Sequence, residues 1–295
     1  MFKELNKKNT YIFNESIGDI ELLKNTILKK EINVYTLEDI IADKELNSLG
    51  LQVYRWLIFE QMFEEKRKKT SLYSSVYHKQ ILENGFIKVE NFMNQLHLEE
   101  LENEISSIPI DVLKKKECFN LPLKMNISNH KMLQEIFKLC QADNSYFEDS
   151  LYLRKIVHMP PGDYCEDARQ YNFHVDKFYP NYKLWLYPFN VSKKSGPLAF
   201  FKGSNVNTIK KMQWVHNRVI NGQDWSRAHY NANDYKDTMK NMGFEEEIVC
   251  AAKKNTLFIV DTRMFHRRTP AALSKERICF RAILKRNNIF DGVEI

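Results

Sequence analysis

Long apolar runs are missing from this chain. The longest, such as 257–260, cover a few residues, whereas a bilayer-spanning helix needs about 20. The N-terminal stretch MFKELNKKNT has no apolar h-region, so no secretory signal is expected and the expected location is cytoplasmic. Cysteine is scarce. Cys118, Cys140, Cys165, Cys250 and Cys279 are odd in number, widely spaced and without a Cys-x-x-Cys pair. That pattern excludes a zinc ribbon and a disulfide framework, and reads as free thiols in a reducing compartment. No internal repeat, glycine-rich phosphate loop, Ser-His-Asp order or catalytic cysteine signature is present. Nor does one sign of charge dominate. The formal net charge is +6, but Lys and Arg are interleaved with Asp and Glu throughout. This excludes a nucleic-acid footprint and suits an anionic small-molecule substrate.

What is present is an ordinary globular composition, 43% hydrophobic and 28% charged, which argues against disorder. The 295 residues suffice for one large domain carrying an extension. Residues 1–71 read as a helical N-terminal extension, because Ile20, Leu23 and Ile27, then Leu51, Tyr54, Leu57, Ile58 and Met62, recur at helical spacing. The charge run 64–69 closes that segment as a solvated helix end. Residues 72–295 form the second unit. Asn84-Gly85 is a turn signal before a short strand, Phe86-Ile87-Lys88-Val89. Leu98, Leu101 and Ile105 then mark an amphipathic helix.

From about residue 150 the character changes. Segments near 151–159, 171–176, 183–191, 197–202, 246–251, 256–261, 264–268 and 277–285 are rich in aromatic and β-branched residues. Pro160-Pro161-Gly162, Pro180-Asn181 and Ser195-Gly196-Pro197 supply turns between them. Eight short strands predict a mainly β fold with flanking helices, a double-stranded β-helix of the jelly-roll or cupin-like kind. An insertion at about 205–245, polar and helix-leaning, interrupts the pattern as a lid or substrate loop does. Within it His216, Arg218, Arg227 and His229 either meet an anionic group or are solvated surface. His158 precedes Pro160 on the first core strand, where it can face the cavity, whereas His78, His97 and His130 belong to the helical part.

The chemistry rests on Phe173-His174-Val175-Asp176. Residues two apart in a strand point to one face, so His174 and Asp176 can grip one cation together. His266, on a late strand, completes the set, since a late jelly-roll strand can lie beside an early one. Two imidazoles and one carboxylate make the facial triad of non-haem Fe(II) oxygenases. Such a triad leaves three adjacent positions open, two for a 2-oxo acid and one for O2. Arg277, eleven positions after His266, is a planar charged fork matched to a distal carboxylate. Arg281 on the same strand is the alternative.

With these residues in view, 72–286 resembles the phytanoyl-CoA dioxygenase-like family of Fe(II)/2-oxoglutarate oxygenases. The resemblance is carried by His174-Val175-Asp176, by Ser195-Gly196-Pro197-Leu198 running on to Lys202-Gly203-Ser204-Asn205, by Asp261-Thr262-Arg263-Met264-Phe265-His266, and by Arg277. It implies that His174, Asp176 and His266 hold iron and that Arg277 holds the far carboxylate of 2-oxoglutarate. It also implies that Trp185 and Tyr171 lie near the cosubstrate. The reaction implied is hydroxylation of a small molecule with O2, releasing succinate and CO2; a carboxylate at 176, where related halogenases have Gly or Ala, favours that outcome. Arg268 departs from the family, which often has a small or hydroxyl residue two positions after the distal His. Two other readings of the same residues remain: a cupin-like non-redox metal enzyme, and a non-catalytic jelly-roll binding protein.

Overall fold

Alternation along a handful of strands places the core. In the computed structural model, residues 41–52, 76–115, 119–122, 146–147, 152–157, 170–176, 181–226 and 234–285 are described. The strands are β1 Phe86–Val89, β2 Phe119–Pro122, β3 Tyr146–Phe147, β4 Tyr152–Val157, β5 Tyr182–Tyr187, β6 Leu198–Phe201, β7 Glu247–Val249, β8 Thr256–Asp261, β9 His266–Arg268 and β10 Glu276–Lys285. The helices are α1 Lys44–Ser48, α2 Val76–Asn84, α3 Gln95–Ser106, α4 Ile110–Leu113, α5 Ile209–Ile220 and α6 Asp234–Asn241.

Two antiparallel sheets result. The larger has the order β1-β8-β5-β10-β4-β2, with β3 added beside β10; the smaller has the order β7-β6-β9. Its neighbours are non-consecutive in sequence, as a jelly roll requires, and the sheets do not close into a barrel. Strands β5 and β8 of the large sheet are buried on both faces. Leu184, Leu186, Leu257, Ile259 and Phe280 pack with Ile87 and with Leu98, Leu101 and Ile105 of α3. Full burial of such side chains is worth about 1.5–3 kcal/mol each relative to exposure. The opposite face presents Trp185, Tyr187, Phe258, Val260 and Cys279, which pack against Leu198 and Phe200 of the small sheet. This second face lines the space between the sheets, and the site opens from it.

Local chemistry fixes the element ends. The Asn94 side chain accepts from the His97 amide at 2.9 Å and caps α3. Thr208 does the same for α5, accepting from the Lys211 amide at 3.1 Å. The Asn84-Gly85 turn has a steric reason. Gly85 has φ +79°, and a Cβ there would lie 2.3 Å from Met264 Sδ and 2.6 Å from Asn205 Oδ1, so only glycine fits.

The architecture is the expected one, mainly antiparallel β with flanking helices. Its details differ in four places. β2 and β3 have no counterpart in the sequence reading; each is too short to show a period. The expected strand 171–176 is a single antiparallel bridge between His174 and His266. Its neighbours bond elsewhere, Val175 N–H to the Ser226 carbonyl and Asp176 N–H to the Thr262 carbonyl. The expected strand 264–268 shortens to His266–Arg268 because 261–264 is a turn closed by the Met264 N–H on the Asp261 carbonyl. Finally, the insertion is no open loop where it is described. Met212, Val215 and Val219 of α5 and Met239 of α6 join Phe173, Val175, Phe201 and Phe265 in one buried cluster. Alternation puts this cluster on the face of the small sheet turned away from the large one.

Of the N-terminal extension, 41–52 are described, and the spacing at 20–27 and 54–62 lies outside the described residues. Ile41 is buried in the cluster of α5 and α6, so this segment docks on the insertion. No helix among the described residues is long and apolar enough to cross a membrane.

Candidate metal centre

Two segments far apart in sequence bring three side chains together between the sheets. Phe173 and Val175 turn into the α5–α6 cluster, which leaves His174 and Asp176 on the other side of the same short segment. His174 N–H donates to the His266 carbonyl at 3.0 Å, and His266 N–H returns the bond at 2.9 Å. This close pair sets the two imidazoles 4.4 Å apart between ring centroids. His174, Asp176 and His266 each offer one ligand atom, and these atoms all lie within 4.8 Å of one another.

The imidazoles are held from behind. His174 Nδ1 lies 2.8 Å from the Asn172 carbonyl and His266 Nδ1 lies 2.9 Å from the Met264 carbonyl. A carbonyl only accepts, so Nδ1 carries a proton on each ring, and Nε2 is the ring atom turned to the shared point. Those Nε2 atoms face Asp176 at 3.7 Å from Oδ1 (His174) and 3.2 Å from Oδ2 (His266). Burial pushes the Asp176 carboxyl up, but His266, Lys183 and His174 around it win and hold it well below the usual carboxylate range. A carboxylate and two imidazole nitrogens at one point are the donor set of a divalent cation, and of the 2-His-1-carboxylate type in particular.

The loop that presents His266 is built from the two sequence fragments singled out above, which meet in space. Ser204 Oγ accepts from the Phe265 amide at 2.9 Å and donates to the Phe201 carbonyl at 2.7 Å. The buried Lys211 ammonium caps the Ser204 and Arg263 carbonyls at 2.5 and 2.9 Å. Asp261 pairs with Arg263 at 2.6 Å inside the turn. These bonds leave the ring of His266 little freedom.

The other sequence candidates fall at different levels of the same face. Trp185 stands directly opposite Phe258 and Arg281 in the ladder and is buried. Arg277 is 4% exposed, beside Tyr187, Cys250 and Cys279, and its Nε and Nη1 have no hydrogen-bond partner. Arg281, four residues along, is half-buried and lacks a partner at Nε. Tyr171 is half-buried with Arg268 over its ring at 5.7 Å. Arg268 itself is buried opposite Leu198, on the cavity side. His216 and Arg218 are not brought to the site. Arg218 Nε donates to the Asp224 carbonyl at 2.6 Å and its guanidinium lies over Trp214, while His216 meets the Asn47 backbone. His97 is exposed; His130, His158, Arg227 and His229 lie outside the described residues.

Two residues escaped the sequence reading. Lys183 pairs with Asp176 at 2.5 Å, and Tyr187 flanks Arg277. The signal for Lys183 was there: it is the one cation in the apolar strand Tyr-Lys-Leu-Trp-Leu-Tyr, two residues before Trp185 and therefore on its face.

No family model matches this sequence, and no curated protein matches it either. Similar solved structures include the non-heme alpha ketoglutarate dependent carbocyclase SnoK from nogalamycin biosynthesis, at 10% identity and TM-score 0.41 over 76% of this chain and 91% of that one. Others are HygX from Streptomyces hygroscopicus with nickel and 2-oxoglutarate bound, at 9% identity and TM-score 0.43 over 72% and 86%, and EctD from S. alaskensis with bound Fe, at 11% identity and TM-score 0.48 over 74% and 78%. At such low identity the likeness is one of general shape, and no chemistry of this chain is taken from it.

Proposed function

We propose that the chain is a non-haem Fe(II) oxygenase that uses 2-oxoglutarate and O2 to hydroxylate a small molecule. The observation that carries this reading is the convergence of His174, Asp176 and His266 with both Nδ1 atoms locked on backbone carbonyls. That arrangement gathers two imidazole Nε2 atoms and a carboxylate at one point between the sheets, where a cation is the natural occupant.

His174, Asp176 and His266 hold the metal. Arg277 receives the far carboxylate of 2-oxoglutarate, in line with its burial and its two N–H-bearing nitrogens without an acceptor. Trp185, packed among the residues between the sheets, and Tyr171, beside Arg268, line the cosubstrate pocket in this reading. With iron bound, O2 and 2-oxoglutarate together would supply an oxidant strong enough for an unactivated C–H bond, with succinate and CO2 released. The protein's part is position and the exclusion of water by Trp185, Phe258 and Phe200. An anionic substrate fits the cations on this face, Arg268, Arg277 and Arg281.

The test is an anaerobic titration of metal-free protein with Fe(II) and then 2-oxoglutarate, followed by visible absorption. A charge-transfer band that needs both additions and disappears in His266→Ala is the expected result. Tight metal binding without such a band would replace this reading with a non-redox metal protein.

A further inference from the structure

Asp176 has a neighbour to which the reading above gives no role. Lys183 Nζ lies 2.5 Å from Asp176 Oδ2. The lysine belongs to β5, opposite Val260 on β8 and Ile283 on β10. Its side chain is 15% exposed, so it is not a surface lysine resting in solvent. A compact ammonium brought between two apolar neighbours loses hydration, and the Asp176 carboxylate is what answers it. The same carboxylate spans the two imidazoles, Oδ1 toward His174 Nε2 at 3.7 Å and Oδ2 toward His266 Nε2 at 3.2 Å.

We propose that Lys183 is a positioning residue, whose ammonium fixes the Asp176 carboxylate in the orientation that faces the two imidazoles. The inference rests on the metal-centre reading. The single bond from Asp176 N–H to the Thr262 carbonyl leaves the side-chain torsions free, and the ammonium is the partner that fixes the carboxylate plane. A metal entering this site then meets a carboxylate already turned toward it.

The sign of one measurement decides. Coulomb's law alone says that removing a cation beside a dication tightens metal binding. Positioning says the reverse, because a carboxylate released from its partner loses the geometry that the metal needs. Metal-free wild type, Lys183→Met and Lys183→Arg are titrated with Co(II) and read by its d–d absorption. The expected result is a Kd raised roughly 10–100-fold in Lys183→Met and restored to within about threefold by Lys183→Arg. An unchanged or lower Kd in Lys183→Met overturns the proposal. Should Lys183→Met not fold, Lys183→Gln replaces it with the same two outcomes, since an amide stays polar but carries no charge and ends one atom short of the ammonium. His174→Ala runs in parallel. If wild type binds no Co(II), the metal-centre reading itself fails; if wild type and Lys183→Met bind alike while His174→Ala does not, only the role of Lys183 falls.

Discussion

A buried guanidinium whose N–H groups meet no acceptor destabilises the fold that contains it, and Arg277 carries two such nitrogens. Arg281 carries one and is half-buried. Sequence left the two open as partners of the distal carboxylate, since both lie on one face of β10. Burial separates them. Arg277→Met is expected to raise the Kd for 2-oxoglutarate in the Fe(II) protein by roughly 100-fold, the loss of a charge-assisted pair in a dry site, while Arg281→Met changes it by no more than about threefold. A charge-transfer titration of both variants checks this, and equal losses would move the cosubstrate to Arg281. Arg268 illustrates the limit of a motif at this scale. Position 268 does face the cavity, as the resemblance implies, but a long cation there reaches the Tyr171 ring where a small hydroxyl residue would not.

At the scale of elements, the Asn84-Gly85 turn does more than start β1. The Gly203 amide donates to the Asn84 carbonyl and the Asp261 amide to the Gly85 carbonyl, at 3.0 and 2.9 Å. The turn therefore ties together both loops that present His266. Gly85→Ala places a methyl group on Met264 and Asn205 at positive φ, and is expected to cost roughly 2–4 kcal/mol in urea unfolding. A second junction joins α1 to α5. His216 is pushed below its ordinary value near 6.5 by burial, against which the Asn47 backbone pulls it back up. For a histidine whose folded pKa is depressed, the unfolded chain takes the proton first as pH falls. The stabilisation is complete above the ordinary value and is lost as pH drops through it toward the folded pKa. Amide exchange in 41–52 is expected to be better protected at about pH 7.5 than at about pH 5.5, and His216→Gln is expected to flatten the difference. No pH effect in wild type would remove His216 from this junction.

For the whole molecule, the question is what stands behind the site. The insertion at 205–245 reads in sequence as a cover over the mouth. In the fold, α5 and α6 back the small sheet, and Phe173 and Val175 are anchored among Met212, Val215, Met239 and Phe265. The segment 173–176 makes one bridge to the sheet and two further backbone bonds, to Ser226 and Thr262, and this apolar backing holds it from the outer side. Met239 is fully buried. Met239→Ala is expected to cost about 2–4 kcal/mol of stability. It should also weaken Co(II) binding measurably, although the residue touches no ligand atom. Unchanged metal affinity in a destabilised variant would show that the segment holds its place without the helices.

The sequence by itself determined the class of fold and the residues that meet. Period-two alternation and turn residues depend on neighbours along the chain, so β1, β5, β6, β8, β10 and α3 were legible, and the His-x-Asp spacing aimed two ligands to one side. The tertiary structure alone decided the rest. β2 and β3 exist because β4 and β10 offer them edges. The 171–176 strand gave way to one bridge because Ser226 and Thr262 claim its other amides. Lys183 became a partner of Asp176, and α5 and α6 became a wall, through contacts between segments distant along the chain. Those contacts are set by the register of strands across the sheet, which no local pattern records.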